Sequence, residues 1–231
     1  PISGMSANSC DKPIAHQVRK IRPTRRSVSG CYAFRGKTSI QYESTLERDF
    51  LIRHEFFLNV IDIIPQPVQI PFVSNNGRSF TYTPDFLVSF RSTEFNDSPI
   101  KYMLVEVKPT NEWQQNWRAW SAKWKAARRY AKQRGWSFRI VDESRIRDPI
   151  LENIRSLERY KRLNCDQHQS RQLLLRLKNK GASTFQELLS SDSAASEDFT
   201  LIKHLLAVRL IDCDISKPLD NFTLMWVPSH E

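Results

Sequence analysis

The sequence predicts an α/β fold: a mixed sheet with flanking helices, followed by a small second domain of helices and a β-hairpin. Three observations carry this expectation. Short apolar runs with turn residues between them recur from Val68 to Val107, a tryptophan-spaced helical segment follows, and beyond Asp148 the pattern turns helical. A chain of 231 residues has room for two domains, each with its own core.

From Lys12 to Tyr42 there is no acidic residue, while Arg19, Lys20, Arg22, Arg25, Arg26, Arg35 and Lys37 accumulate. Residues 1–38 are therefore expected to form a basic arm leading into a strand near Ser39 to Tyr42, with a solvated tail as the alternative. Ser44 caps a helix expected to reach about Asn59, with Leu46, Phe50, Phe57 and Ile61 on its core face. Pro65-Gln66-Pro67 ends that connection, and Val68 to Val73 and Arg78 to Tyr82 read as strands around an Asn75-Asn76-Gly77 turn. Two apolar strands follow, Phe86 to Phe90 and Tyr102 to Val107, joined by a polar loop.

Trp113, Trp117, Trp120 and Trp124 then mark one face of a helix running to Arg134, read as a core stripe with a base-stacking platform as the alternative. The basic residues between them, Lys123 among these, are expected to face solvent and to be available to phosphates. Gly135 stops the helix and Trp136 to Val141 is a further strand. These elements define a domain over 39–147. Over 148–231 the expected elements are helices at Gln167 to Lys180, after the Thr184/Glu187 capping box, and at Asp198 to Val208. A hairpin of Leu210 to Asp214 and Phe222 to Val227 completes a winged-helix-like pattern.

Charge is distributed unevenly. The net charge is +10, yet residues 150–231 hold eleven basic and eleven acidic side chains, leaving 24 basic and 14 acidic in the remainder. The excess points to a polyanionic partner, nucleic acid first, for the N-terminal part. Cys10, Cys31, Cys165 and Cys213 lack the spacing of a zinc site and are expected to be reduced thiols. No run approaches the roughly 18 apolar residues of a membrane span, so a soluble, cytoplasmic protein is expected.

The chemistry is expected at the strand ends. Pro84-Asp85 opens one apolar strand, and Glu106-Val107-Lys108 ends the next. Side chains alternate along a strand, so Glu106 and Lys108 share a face. Two carboxylates about 4 Å apart repel by roughly 4 kcal/mol at an effective dielectric near 20, so Asp85 beside Glu106 calls for a cation. Hard oxygen ligands favour Mg²⁺, with Mn²⁺ able to substitute, and Lys108 is placed to orient water or stabilise developing charge. Glu47 is the ambiguous member. Ser44 to Glu47 reads equally as a capping box and as a carboxylate directed at the same site.

Glu43-Ser44-Thr45-Leu46-Glu47-Arg48-Asp49-Phe50, Gln66-Pro67, Tyr82-Thr83-Pro84-Asp85-Phe86-Leu87-Val88 and Val105-Glu106-Val107-Lys108-Pro109 together resemble the PD-(D/E)xK nuclease superfamily. More narrowly they resemble the TnsA endonuclease family of Tns-type transposons, over roughly Arg25 to Val141. The resemblance implies a restriction-endonuclease-like sheet, catalytic roles for Glu47, Asp85, Glu106 and Lys108, and metal ligation by Asp85, Glu106 and Glu47. It implies cleavage of double-stranded DNA at the 5′ ends of a transposon, beside a DDE transposase, TnsB, that cuts the 3′ ends. It also implies contact between the C-terminal domain and an AAA+ regulator, TnsC. The compact length is similar to that of enzymes of CRISPR-associated transposons, and protein-guided and RNA-guided targeting both stay open.

The C-terminal domain's last predicted helix offers only Lys203, His204 and Arg209 to DNA, which favours protein docking there. Phosphate contacts are expected instead from Arg22, Arg25, Arg26, Arg35 and Lys37. Two other functions fit the residues: a stand-alone restriction-type endonuclease or junction resolvase, and a non-catalytic architectural DNA-binding subunit.

Overall fold

A computed structural model describes residues 17–18, 28–92, 100–189 and 195–228. The chain opens with a hairpin of β1 (Gly30–Phe34) and β2 (Thr38–Tyr42), paired from Gly30 with Tyr42 to Phe34 with Thr38. The part of the basic arm between residues 30 and 38 is thus sheet. Phe34 and Ile40 are buried, which the arm reading, based on charge, overlooked.

Helix α1 (Thr45–Phe56) starts where expected. The Ser44 side chain accepts the Glu47 N–H, and Phe57 closes the helix in an extended conformation. It ends before Asn59 because the chain enters β3 (Val60–Pro65), a strand that the helical spacing of Phe57 and Ile61 concealed. Ile61 does not join the core. A bulge between Val60 and Asp62 turns it outward, 37 % exposed. A hairpin of β4 (Ile70–Val73) and β5 (Ser79–Tyr82) follows, turning at Gly77 with φ +75°.

The main sheet has the order β3-β6-β7-β8, formed with β6 (Phe86–Arg91), β7 (Ile100–Val107) and β8 (Ser137–Val141). The β3–β6 and β6–β7 pairs are antiparallel; β7–β8 is parallel, so α2 (Thr110–Gln115) and α3 (Trp117–Gln133) form the crossover. The expected single helix is two, broken at Asn116, and Trp117 is 49 % exposed, so the tryptophan stripe is a core face only in part.

Alternation sorts the strand residues into two layers. Phe86, Val88, Val105 and Val107 pack with Leu46, Phe50 and Leu51 of α1. Leu87 and Leu104 pack with Trp124, Ala126 and Ala127 of α3, whose small side chains let that helix lie close to the sheet. Each sheet face therefore belongs to one helix.

The short helix α4 (Glu143–Ile146) leads to α5 (Pro149–Glu158), which the sequence reading missed, then α6 (Gln167–Lys180), β9 (Ala182–Thr184), α7 (Phe185–Leu189) and α8 (Ala195–Ala207). Strands β10 (Asp212–Cys213) and β11 (Leu224–Trp226) pair antiparallel, and β11 also pairs with β9, giving the order β10-β11-β9. The Thr184/Glu187 capping box forms, and Gly181 caps α6 at φ +81°.

Helix α1 serves both regions. Phe56 lies in the core built by Ile154, Leu157, Leu173, Ile202 and Leu205, with Ile52 and Phe57 packed against it. The buried Asp49 carboxylate is held by Arg147 Nε at 2.8 Å and by Arg155. Arg53 pairs with Asp148 at 2.9 Å and Glu55 with Lys161 at 2.6 Å. Among the described residues no helix is long and apolar enough to cross a membrane.

Candidate active site

Asp85 stands just before β6 and Glu106 near the end of β7. Pairing of Phe86 with Val105 and of Leu87 with Leu104 carries on in register to bring Asp85 opposite Glu106. Both project on the α3 side of the sheet, with Leu87 and Leu104. Two backbone bonds fix Asp85. Its Oδ2 accepts the Val107 N–H at 2.7 Å, and its carbonyl oxygen accepts the Gln66 N–H at 2.7 Å. Gln66 is buried with a left-handed φ of +45°, and its Oε1 meets no donor among the described residues. Such strain persists where surrounding structure enforces it.

Glu106 is 2 % exposed and amply satisfied. Tyr82 donates its hydroxyl to Oε2 at 2.6 Å; Lys123 Nζ lies 3.2 Å and Lys108 Nζ 3.9 Å from Oε1. Neither Tyr82 nor Lys123 was anticipated. Lys123 follows Trp120 by three residues and precedes Trp124 by one, so helical spacing alone could have placed it on the buried stripe instead of the solvent side.

The electrostatics follow from this crowding. Burial, then the Glu106 charge, pushes the Asp85 carboxyl well above its ordinary range, against the opposing pull of Lys108. Asp85 keeps some solvent exposure, but its carboxyl sits deep among neighbouring atoms. Burial alone would lower the Lys108 ammonium, yet Asp85, Glu106 and Glu47 together raise it, so it stays charged. Burial and the Glu106 and Asp85 charges likewise keep the Tyr82 phenol protonated.

Glu47 approaches from the other layer. It accepts the Glu43 N–H at 2.7 Å and the Ser44 hydroxyl at 3.0 Å, so both its oxygens serve the start of its own helix. It lies close enough to feel Lys108, and burial raises its pKa. Glu47, Lys108, Glu112 and Arg147 line a cleft of about 350 Å³ beside the strand ends.

Among the described residues no three His, Cys, Asp or Glu side chains gather tightly enough to hold a metal ion. Asp85 and Glu106 face each other across β6 and β7, while both Glu47 oxygens are engaged by the capping box of α1. The pair fits a hard divalent cation. Two facing carboxylates, one of them pushed up by burial and then by the other's charge, would be relieved by a cation between them, and Mg²⁺ commonly takes only one or two protein carboxylates.

Two of the expected DNA contacts fall within the described residues, both in the β1–β2 turn. Arg22, Arg25 and Arg26 lie outside the described residues. Lys37 is exposed in the β1–β2 turn. Arg35 is tied into the fold: its Nη2 donates to the carbonyls of Phe57 at 3.1 Å and Val60 at 2.7 Å, and its N–H donates to Glu55. The Arg35 Nη2 is thus tied to the connection between α1 and β3, while the residue stays exposed.

No curated protein matches the chain. Residues 58–143 match the family model described as TnsA-like endonuclease N terminal, a stretch that holds Asp85, Glu106, Lys108, Tyr82 and Lys123. Over residues 58–143 the chain is thus similar to the TnsA-like endonuclease family.

Proposed function

We propose that the chain is the nuclease subunit of a Tn7-type transposase, cutting the 5′ ends of the element in double-stranded DNA beside a DDE transposase. The observation that carries this reading is the pair of facing carboxylates on adjacent strands, with two lysines against Glu106, inside a TnsA-like endonuclease domain.

Asp85 and Glu106 would hold a Mg²⁺ ion, or Mn²⁺ in its place, which supplies Lewis-acid stabilisation of the phosphate and an activated water. Asp85 is prepared for that role by its two backbone bonds, which fix the strand end. Lys108, charged and half-buried, donates toward the phosphate oxygens where negative charge accumulates. Glu47 caps α1 and, through its charge, helps keep Lys108 protonated.

The order α6, β9, α7, α8, β10, β11, with β11 central in its sheet, supports a winged-helix reading of the C-terminal region. Its exposed apolar side chains, Phe222 at 77 % and Leu224 at 51 %, support a protein-docking role such as contact with an AAA+ regulator of the TnsC kind. Domain boundaries near 39, 147 and 148 remain part of this proposal, with α1 shared across them.

The test is strand-resolved cleavage of a plasmid carrying transposon ends, with the DDE partner present. Asp85→Ala should abolish 5′ cuts and leave 3′ cuts. Persisting 5′ cuts would favour an architectural subunit, whereas cutting of arbitrary plasmid by the purified chain alone would favour a stand-alone endonuclease.

A further inference from the structure

We propose that Lys123 is a built-in counter-cation for Glu106, competing with the divalent ion and thereby weakening metal binding at the site until nucleic acid supplies further ligands. This inference rests on the metal-nuclease reading above and adds a control on that same site.

Lys123 comes from α3, the layer packed on the Asp85 and Glu106 side of the sheet. Its Nζ lies 3.2 Å from Glu106 Oε1, closer than the 3.9 Å of Lys108, the lysine of the strand-end motif. Three rings fix that position: the ammonium lies 4.5 Å from the Trp120 centroid, 5.1 Å from Tyr82 and 5.5 Å from Trp124. Such rings attract a cation through their negative faces, and partial desolvation strengthens the attraction. Tyr82 contributes twice, since its hydroxyl also holds Glu106 Oε2 at 2.6 Å. Glu106 is thereby clamped at both oxygens.

A divalent ion reaching Glu106 from the Asp85 side meets two ammonium groups already facing Oε1. Like charges at such separations repel strongly wherever water is partly excluded. The cation that the carboxylate pair calls for is thus supplied in part by the protein itself. Phosphate oxygens of bound DNA add negative charge and ligands, shifting the balance toward the metal.

Titrating the full-length chain with Mn²⁺, and following the free ion by its paramagnetic resonance signal, tests this without any cleavage measurement. Lys123→Met should tighten Mn²⁺ binding by on the order of tenfold, from simple charge repulsion. Lys123→Gln should do the same, guarding against a folding defect in one variant, and Lys123→Arg should stay nearer the wild type. Folding of each is checked by tryptophan emission. Binding by both neutral variants no tighter than wild type overturns the proposal. Asp85→Asn separates the two readings: if it weakens Mn²⁺ binding while the Lys123 variants change nothing, only the counter-cation falls. If Asp85→Asn binds Mn²⁺ like wild type, the ion is held elsewhere and both readings fall.

Discussion

Among the described residues, the region before Asp148 buries Glu47, Asp49, Gln66 and Glu106, whereas the region after it buries only Ser183 among polar side chains. Taking a charge out of water is costly unless it is paired. The first region accepts that cost at two places, the strand ends and the middle of α1, while the second packs Leu173, Leu177, Ile202, Leu205 and Met225 as an ordinary apolar core. Buried charge thus separates the region that holds the facing carboxylates from one packed as an apolar core.

The sharpest way to break this contrast is at Asp85. Asp85→Ala should reduce 5′-strand cleavage by at least ~10³-fold, equivalent to about 4 kcal/mol of transition-state stabilisation. Asp85→Asn, which removes one of two repelling carboxylates, should raise the melting temperature without metal by roughly 2–4 °C. A lower melting temperature would mean that the pair is stabilising, contrary to the burial and the Glu106 repulsion that raise the Asp85 pKa. In the second region the matching change is Ile202→Ala, which empties a fully buried site and should cost about 2–5 kcal/mol in urea unfolding. Because Phe56 joins that core, sheet and helices should unfold together. Two separate transitions would break the link between them.

Next in size comes His54, which stacks on Phe50 at 3.8 Å with its Nδ1 2.8 Å from the Phe50 carbonyl oxygen. Burial lowers its pKa to about 4 from an ordinary 6.5. The unfolded chain therefore binds a proton more readily. Stability from this group is fully present above pH 6.5 and is lost as pH falls toward 4, by at most about 3 kcal/mol. Denaturation measured across that window should show the slope, and His54→Phe should flatten it. The smallest effect belongs to Glu47→Gln. The amide preserves the cap, so stability should change by less than ~0.5 kcal/mol, while cleavage falls roughly tenfold as Lys108 loses a supporting charge. A large stability loss with unchanged specific activity would make Glu47 a cap alone.

Legibility followed local physics. Apolar strands, a left-handed glycine turn and capping boxes depend on neighbouring residues, so β6, β7, the Gly77 turn, α6 and the start of α1 could be read directly. The pairing of Asp85 with Glu106 followed because adjacent strands and a period of two allow few alternatives. Beyond this, the sequence misled wherever two elements shared one pattern. Phe57 and Ile61 continue the helical spacing of α1 although a strand has begun, and the charges around β1 obscure Phe34 and Ile40. Lys123 was assigned to solvent by residue type, when its place between Trp120 and Trp124 points inward. For Glu47 the sequence offers a cap and a ligand alike, because both ask for a carboxylate three residues after Ser44; the structure shows the cap bonds.

The sharing of α1 bears on how such chains can be recombined. Removing everything after residue 149 leaves Phe56 without Ile154 and Leu157, and Asp49 without Arg155. Loss of partner binding in that truncation would then be confounded with unfolding. Grafting a foreign C-terminal region at Asp148 brings the same mismatch, because Asp49, Arg53 and Glu55 expect Arg155, Asp148 and Lys161. Helix α1 and the segment 147–161 are a matched lock and key, so an exchange that keeps both together preserves the charge pairs, provided the incoming segment supplies apolar partners for Phe56, Ile154 and Leu157 in place of Leu173, Ile202 and Leu205.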